Sequence, residues 1–207
     1  MQLGLKVNGL RLAKGYKLLI SDLNFEISAG EAVSLYGENG VGKTTLLRTL
    51  AGFNAPDGGE IRFSRDGEPL EADEARTQYV HFLGHHDALS PARTVAEELA
   101  FQASYLGGDA DAAIVPLRLK PLLDLETRHL SAGQKRRLSC ARLLMVPRAL
   151  WLLDEPMAPL DTAHRALLGG LMQAHLAGGG MIVAAVHDAL PFATRTLRLE
   201  RPEVRVE

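Results

Sequence analysis

The stretch Gly37-Glu38-Asn39-Gly40-Val41-Gly42-Lys43-Thr44-Thr45 has the residue types and spacing needed to hold a polyphosphate. In the pattern G-x-x-x-x-G-K-[ST], glycines let backbone N–H groups wrap phosphate oxygens. The helix that follows then presents its positive N-terminal end to the anion. Lys43 is expected to reach the β- and γ-phosphates of a nucleotide, and the Thr44 hydroxyl to coordinate Mg2+. The alternative, an ordinary glycine-rich turn, meets the pattern by chance in roughly 1% of chains this long. A second group is "ALWLLDE", where Asp154 and Glu155 end an apolar run, and a third is "MIVAAVH", which ends in His187. Here Asp154 would hold Mg2+ through its water shell, and Glu155 would polarise a water for in-line attack on the γ-phosphate. His187 would sense that phosphate. Taken singly, these are two acids capping a strand and a polar strand terminus. Beside a phosphate loop they suit phosphoryl transfer.

Such residues meet only if the chain brings three loops to one edge. The run "VSLY" before Gly37 reads as a short buried strand, and "KTTLLRTLAG" as a helix stopped by Gly52. "ALWLLD" and "MIVAAVH" are two further buried strands, separated by the helix-like "DTAHRALLGGLMQAHLAGGG". Strands alternating with helices indicate a parallel α/β sheet, whose ligands sit at the carboxyl ends of its strands. "GGEIRFSRDGEPL" reads as a hairpin turned by Asp66-Gly67. From about 94 to 146 the pattern is helical: "TVAEELAFQASYL", "DADAAIVPLRL" and "SAGQKRRLSCARLLM". No linker isolates this insert. The expectation is therefore one domain over residues 1–207, with a helical subdomain at roughly 86–148.

Composition narrows the setting. The 207 residues are 46% hydrophobic and 23% charged, the balance of a globular chain with an ample core. A net charge of -2 offers no electrostatic reason for a nucleic-acid partner. The single cysteine, Cys140, excludes an internal disulfide and suits a reducing compartment. No apolar run approaches a membrane span, and "MQLGLKVNGLRLAKG" lacks the apolar segment of a secretion signal, so a cytoplasmic location is expected.

The stretch "LSAGQKRRLSCARLLM" resembles the signature motif of ABC-type ATPases, usually written L-S-G-G-Q. With 37–45, Asp154-Glu155, "APLD" at 158–161 and His187 in the same order and spacing, the resemblance covers essentially the whole chain. It implies an α/β fold of the P-loop NTPase, ABC ATPase type. The parallel sheet core would carry an antiparallel β subdomain and an inserted helical subdomain. It also implies ATP and Mg2+ as ligands and a head-to-tail homodimer with ATP at the interface. One chain's phosphate loop would then face Ser131, Gly133 and Gln134 of the other. Ser131 is a good N-cap, Gly133 permits close approach, and the helix that follows would offer its N-terminus to the partner's γ-phosphate. Asp161 would link the two sites across the dimer, with Pro159 stiffening its segment. Ala132 departs from the usual glycine; it costs about 1 kcal/mol if that position needs φ > 0 and nothing otherwise. The basic "KRR" at 135–137 reads as a solvated helix face rather than a lipid patch, and Cys140 as a small buried filler.

The stretch "VHFLGHHDALSPARTV" falls where these ATPases carry a strand ending in a loop glutamine, and His85 takes the glutamine's place. Direct metal or haem ligation by His85 and His86 is the sharper alternative, but sequence neighbours diverge when extended and no other ligands cluster nearby. A variant coupling loop is the preferred reading. "FLGH", "LSAGQ-x-RR" and "GG-x-I" before "AAVHD-x-L" resemble the ABC ATPases of cytochrome c maturation, the so-called haem exporter. That implies a peripheral subunit on the cytoplasmic face of the inner membrane, beneath integral subunits of the CcmB and CcmC type. Its hydrolysis would drive release of a haem-loaded chaperone. Another small-molecule ABC exporter, or a soluble ABC protein uncoupled from transport, are the alternatives. The family stacks adenine on an aromatic side chain. The nearest here is Tyr16, about two residues beyond the expected place, and a half-exposed strand tyrosine is the equal alternative.

Overall fold

The computed structural model describes residues 2–202. Its strands are β1 (Leu3–Lys14), β2 (Lys17–Ile27), β3 (Ala32–Tyr36), β4 (Gly58–Arg65), β5 (Glu68–Leu70), β6 (Val80–Leu83), β7 (Leu150–Asp154), β8 (Met181–Ala185) and β9 (Arg195–Arg198). Its helices are α1 (Lys43–Leu50), α2 (Ala72–Tyr79), α3 (Val95–Leu106), α4 (Asp111–Ile114), α5 (Ala132–Cys140), α6 (Arg142–Met145) and α7 (Thr162–Ala177).

Two sheets share the chain. An antiparallel sheet runs in the order β2-β1-β4-β5, and a five-stranded sheet in the order β6-β7-β8-β3-β9. All pairings in the second sheet are parallel. Its central strands are almost wholly apolar because both faces are covered, and the buried Ser34 of β3 donates to Thr194 Oγ1 at 2.9 Å. Alternate residues go to opposite sides. Leu35, Leu150, Leu152, Met181 and Val183 face the core shared with α1 and the antiparallel sheet. Trp151, Leu153, Ile182 and Ala184 face the core shared with the helices that follow β6.

The register fixes the site edge. Leu35 pairs with Ala185, and Ala185 pairs with Asp154, so β3, β7 and β8 end level with one another. Gly37, Glu155 and His187 therefore leave the sheet side by side. The β4–β5 hairpin turns through Asp66 (φ 54) and Gly67 (φ 89), two positive values in succession, the conformation a two-residue Asp-Gly turn favours. Helix α3 starts at a reciprocal cap between Thr94 and Glu97 and stops at Gly107 in the left-handed conformation. The expected helix over "DADAAIVPLRL" is cut to the four residues of α4. Pro116 cannot continue it, and Arg118 takes a positive φ of 51 two residues later.

Candidate functional site

The phosphate loop turns between β3 and α1. Gly37 has φ 150, and a Cβ there would sit 2.6 Å from the carbonyl oxygen of Leu199, just past β9, so the backbone behind the loop admits only glycine. Gly42, at φ 123, caps α1 without any side-chain hydrogen bond, which leaves the first-turn N–H groups aimed outward. Lys43 is buried, and its Nζ donates to the carbonyls of Gly37 (2.6 Å) and Glu38 (3.3 Å). Val41 is buried beneath the loop, while Glu38, Asn39 and Gly40 are exposed. A cleft of about 640 Å³ opens here, lined by Lys43, Thr44, Thr45 and Glu155 on one side and by Leu12, Lys17 and Leu19 on the other. Its wall from the antiparallel sheet combines the aliphatic Leu12, Ala13 and Leu19 with Lys14 and Lys17. Tyr16 does not line it: the ring stands fully exposed on the turn joining β1 to β2, not on a strand.

Thr44 donates its Oγ1 hydrogen to Asp154 Oδ2 at 2.8 Å, and Asp154 is buried at the end of β7. A hydroxyl and a carboxylate held together at a phosphate loop form an all-oxygen donor set that suits a hard cation such as Mg2+. Glu155 comes next, with its backbone in the left-handed region at φ 48. For a non-glycine residue this costs on the order of 1 kcal/mol and persists only where surrounding contacts impose it. One contact is the Glu155 N–H donated to Ala185 O at 3.0 Å. The carboxylate lies between two imidazoles: Oε1 is 2.9 Å from His187 Nε2 and Oε2 is 3.7 Å from His85 Nδ1. His85 and His86 stand edge to face, ring centres 5.5 Å apart, with His85 exposed. Among the described residues, no group of three or more His, Cys, Asp or Glu is arranged to hold a metal ion.

The signature residues lie apart from this cleft. Ser131 Oγ accepts from Gln134 N (3.3 Å) and Gln134 Oε1 from Ser131 N (2.8 Å), a reciprocal cap at the start of α5. Ser131 and Ala132 are exposed, and neither they nor Gly133 or Gln134 line the cleft. Ala132 lies within the helix and not in the left-handed region, so it carries no strain. Gly133 abuts its own chain, where a Cβ would stand 3.0 Å from Pro159 O. Asp161 caps α7; its Oδ1 accepts from His164 N (2.9 Å) and lies 2.8 Å from the ring nitrogen Nδ1 of the same residue. These two contacts hold its carboxyl below the usual range.

The basic run at 135–137 is not a solvated face. Arg136 and Arg137 are both buried, Arg137 donating to Leu117 O (2.9 Å) and Arg118 O (3.0 Å). Burial pulls the Arg137 pKa down. Charged residues in a helix read as surface because their backbone partners, distant in sequence, cannot be seen in it. Cys140 on the same helix is buried, and burial pushes its thiol up to about 11.

Among the described residues no helix is long and apolar enough to cross a membrane. Residues 20–158 match the family model described as ABC transporter. The structure is similar to that of a protein described as an ABC transporter ATP-binding protein from Pyrococcus furiosus, with TM-score 0.79, 23% identity, and coverage of 95% of this chain and 97% of that one. At that identity the likeness speaks for the fold. In sequence the chain is 48% identical to the cytochrome c biogenesis ATP-binding export protein CcmA of Rhodopseudomonas palustris (strain BisB5), over 92% of this chain and 95% of the relative. It is 46% identical to the CcmA of Bradyrhizobium diazoefficiens, over 94% and 98%. The CcmA of Rhizobium meliloti (strain 1021) is 41% identical, over 91% and 93%. With so much of its length shared with these proteins, the chain belongs to the ABC transporter family as an ATPase of the CcmA type.

Proposed function

We propose that this ATPase is the ATP-hydrolysing subunit of a cytochrome c maturation complex, working as a homodimer on the cytoplasmic face of the inner membrane. CcmB- and CcmC-type integral subunits would lie above it, and its hydrolysis would drive release of a haem-loaded chaperone. The similarity to cytochrome c biogenesis ATP-binding export proteins supports the cytochrome c assignment. The chain is read as a single ABC domain over residues 1–207, with residues 86–148 as its helical subdomain.

For catalysis the reading rests on one observation: the Glu155 carboxylate, held 2.9 Å from His187, borders the cleft that Lys43 and Thr44 line. Residues 37–45 bind the phosphates through backbone N–H groups, and Lys43 moves its ammonium from the loop carbonyls to the β- and γ-oxygens. Thr44 and Asp154 would hold Mg2+, which offsets phosphate charge when bound. Glu155 orients a water and accepts its proton as the oxygen bonds to the γ-phosphorus and the bond to ADP breaks. His187 fixes that carboxylate and donates to the γ-phosphate. His85 reports nucleotide state from the same carboxylate to the membrane subunits. Ser131, Gly133 and Gln134 serve the partner's nucleotide, which accounts for the exposure of Ser131 away from its own cleft, and Asp161 lies between the two sites.

The test is Glu155→Gln, purified with ATP and used to capture partners from detergent-solubilised membranes. The variant is expected to elute as an ATP-dependent dimer, without turnover, and to bring down haem-handling membrane subunits. Other permeases in the eluate would end the cytochrome c assignment, and parental hydrolysis would end that of Glu155.

A further inference from the structure

Arg136 is among the largest fully buried side chains of the protein, and a buried guanidinium is tolerated only when its donors are matched. Here all five N–H groups have an acceptor. Nε donates to Pro156 O (3.2 Å), Nη1 to Gly84 O (2.8 Å) and Asp87 Oδ1 (3.3 Å), and Nη2 to Asp154 O (2.6 Å) and Glu155 O (3.0 Å). The acceptors come from two places: three consecutive carbonyls at the end of β7 and just beyond it, and the turn after β6. One planar fork therefore joins α5 both to the segment that carries Glu155 and to the loop that carries His85.

We propose that Arg136 is the positioning residue of Glu155, holding it in its left-handed conformation and making its place depend on where α5 sits. The inference rests on the role given to Glu155 above. Three further contacts make α5 and the helix after it a jig for the same two loops. Ser139 Oγ (3.1 Å) and Arg142 Nη2 (3.2 Å) both donate to Asp87 O, and Gly133 lies close against Pro159. Lysine cannot replace the fork, because three donors on one nitrogen do not span carbonyls on two separate loops. Since the N-terminal end of α5 is the end offered to the second copy's nucleotide, engagement there is carried through Arg136 to the chain's own hydrolytic carboxylate. Arg136 touches no substrate atom. It acts on Glu155 through the backbone of 154–156, while Gly84 O and Asp87 Oδ1 fix the other side of the guanidinium.

The experiment is steady-state hydrolysis by full-length Arg136→Lys against ATP concentration, with a melting curve, and Glu155→Gln measured alongside. A misplaced carboxylate should lower kcat about tenfold to a hundredfold. KM should stay within about twofold and the melting temperature close to the parent's, since ATP binding does not use the fork. A kcat near the parent's overturns the proposal, as does a loss of kcat matched by a rise in KM and a fall in melting temperature, the pattern of a merely structural arginine. If Arg136→Lys does not fold, Asp87→Asn decides: it weakens one arm of the fork at a partly exposed site. It should lower kcat about threefold to tenfold with KM unchanged, and unchanged kcat overturns the proposal. A dead Glu155→Gln beside an active Arg136→Lys rejects only this inference, whereas an active Glu155→Gln rejects the reading beneath it.

Discussion

The phosphate loop and the start of α5 both present a helix N-terminus, yet they are finished in opposite ways. At α1 the cap is Gly42, with no side chain to satisfy the first turn, and Lys43 is folded back onto loop carbonyls within the same chain. At α5 the first turn is already closed by the Ser131–Gln134 box, and the exposed Ser131 and Ala132 face solvent. An uncapped helix end with a buried lysine beside it has the donors and the charge that suit an anion. A capped, exposed end is stable alone and adds contacts only when something is brought to it. The contrast suits the proposed dimer, in which the phosphate loop of one copy would bind the nucleotide and the start of α5 of the other would close on it.

The largest test of this contrast removes the lysine. Lys43→Ala should reduce phosphate release by about a thousandfold, because it deletes a preorganised cation from the developing charge. The antiparallel sheet and α1 pack without the ammonium, so the melting temperature should stay near the parent's. Turnover close to normal would break the comparison at its stronger end.

Legibility followed the same division. The phosphate loop, the Asp154-Glu155 pair and His187 stood out because each is a short pattern attached to an apolar run, and the parallel sheet followed from the spacing of those runs. At α5 the signature stretch and its Ser131 cap were legible, but the buried arginines behind them were hidden. Arg136 reads as surface charge because four of its five acceptors are backbone carbonyls, at residues 84 and 154–156, which carry no residue-type signal. The nearest trace is indirect: a polar run "QKRR" placed inside a helix whose far end, Leu138 to Cys140, is buried. Tyr16 stands on a turn rather than a strand for a different reason. Gly15, at φ 60, turns the chain before the ring can lie on the strand, and Leu12 and Leu19 line the cleft where Tyr16 does not. The β1 strand was equally obscure, since a register shift between Val7 and Leu10 breaks the alternation that would reveal it.

Between the two regions runs a seam at His81, which tests whether they melt as one. His81 is buried in β6 with Nε2 2.8 Å from Val146 O, just past α6, and burial lowers its pKa to about 4. An unfolded histidine titrates near 6.5, so below that value the unfolded chain takes up a proton that the folded one refuses. Its contribution to stability is therefore full above about pH 6.5 and falls as pH drops toward the folded value. Between about pH 7.5 and about pH 5 the loss should reach about 2 kcal/mol, read as a shift in the urea midpoint. Burial lowers the His175 pKa as well and adds in the same direction. His81→Gln, which keeps a donor for Val146 O, should remove most of the His81 share. An unchanged pH dependence in that variant would place the acid sensitivity elsewhere.

The smallest expected effect is at Ala132, and it probes the exposed end directly. The residue has ordinary helical backbone at the first position of α5, so glycine relieves no strain there and adds chain entropy to the unfolded state. Ala132→Gly should lower stability by less than about 1 kcal/mol, since a terminal position is only partly constrained by the helix. Activity separates two views of the methyl group. If α5 approaches the second copy's nucleotide through Ser131 alone, kcat for ATP stays at the parent's value. If the approach is closer, the methyl stands between the two copies, and the glycine variant hydrolyses faster with a lower KM. A faster enzyme would mean that the exposed end is deliberately held back. Its contrast with the phosphate loop would then extend from how each helix is capped to how tightly the two are allowed to meet.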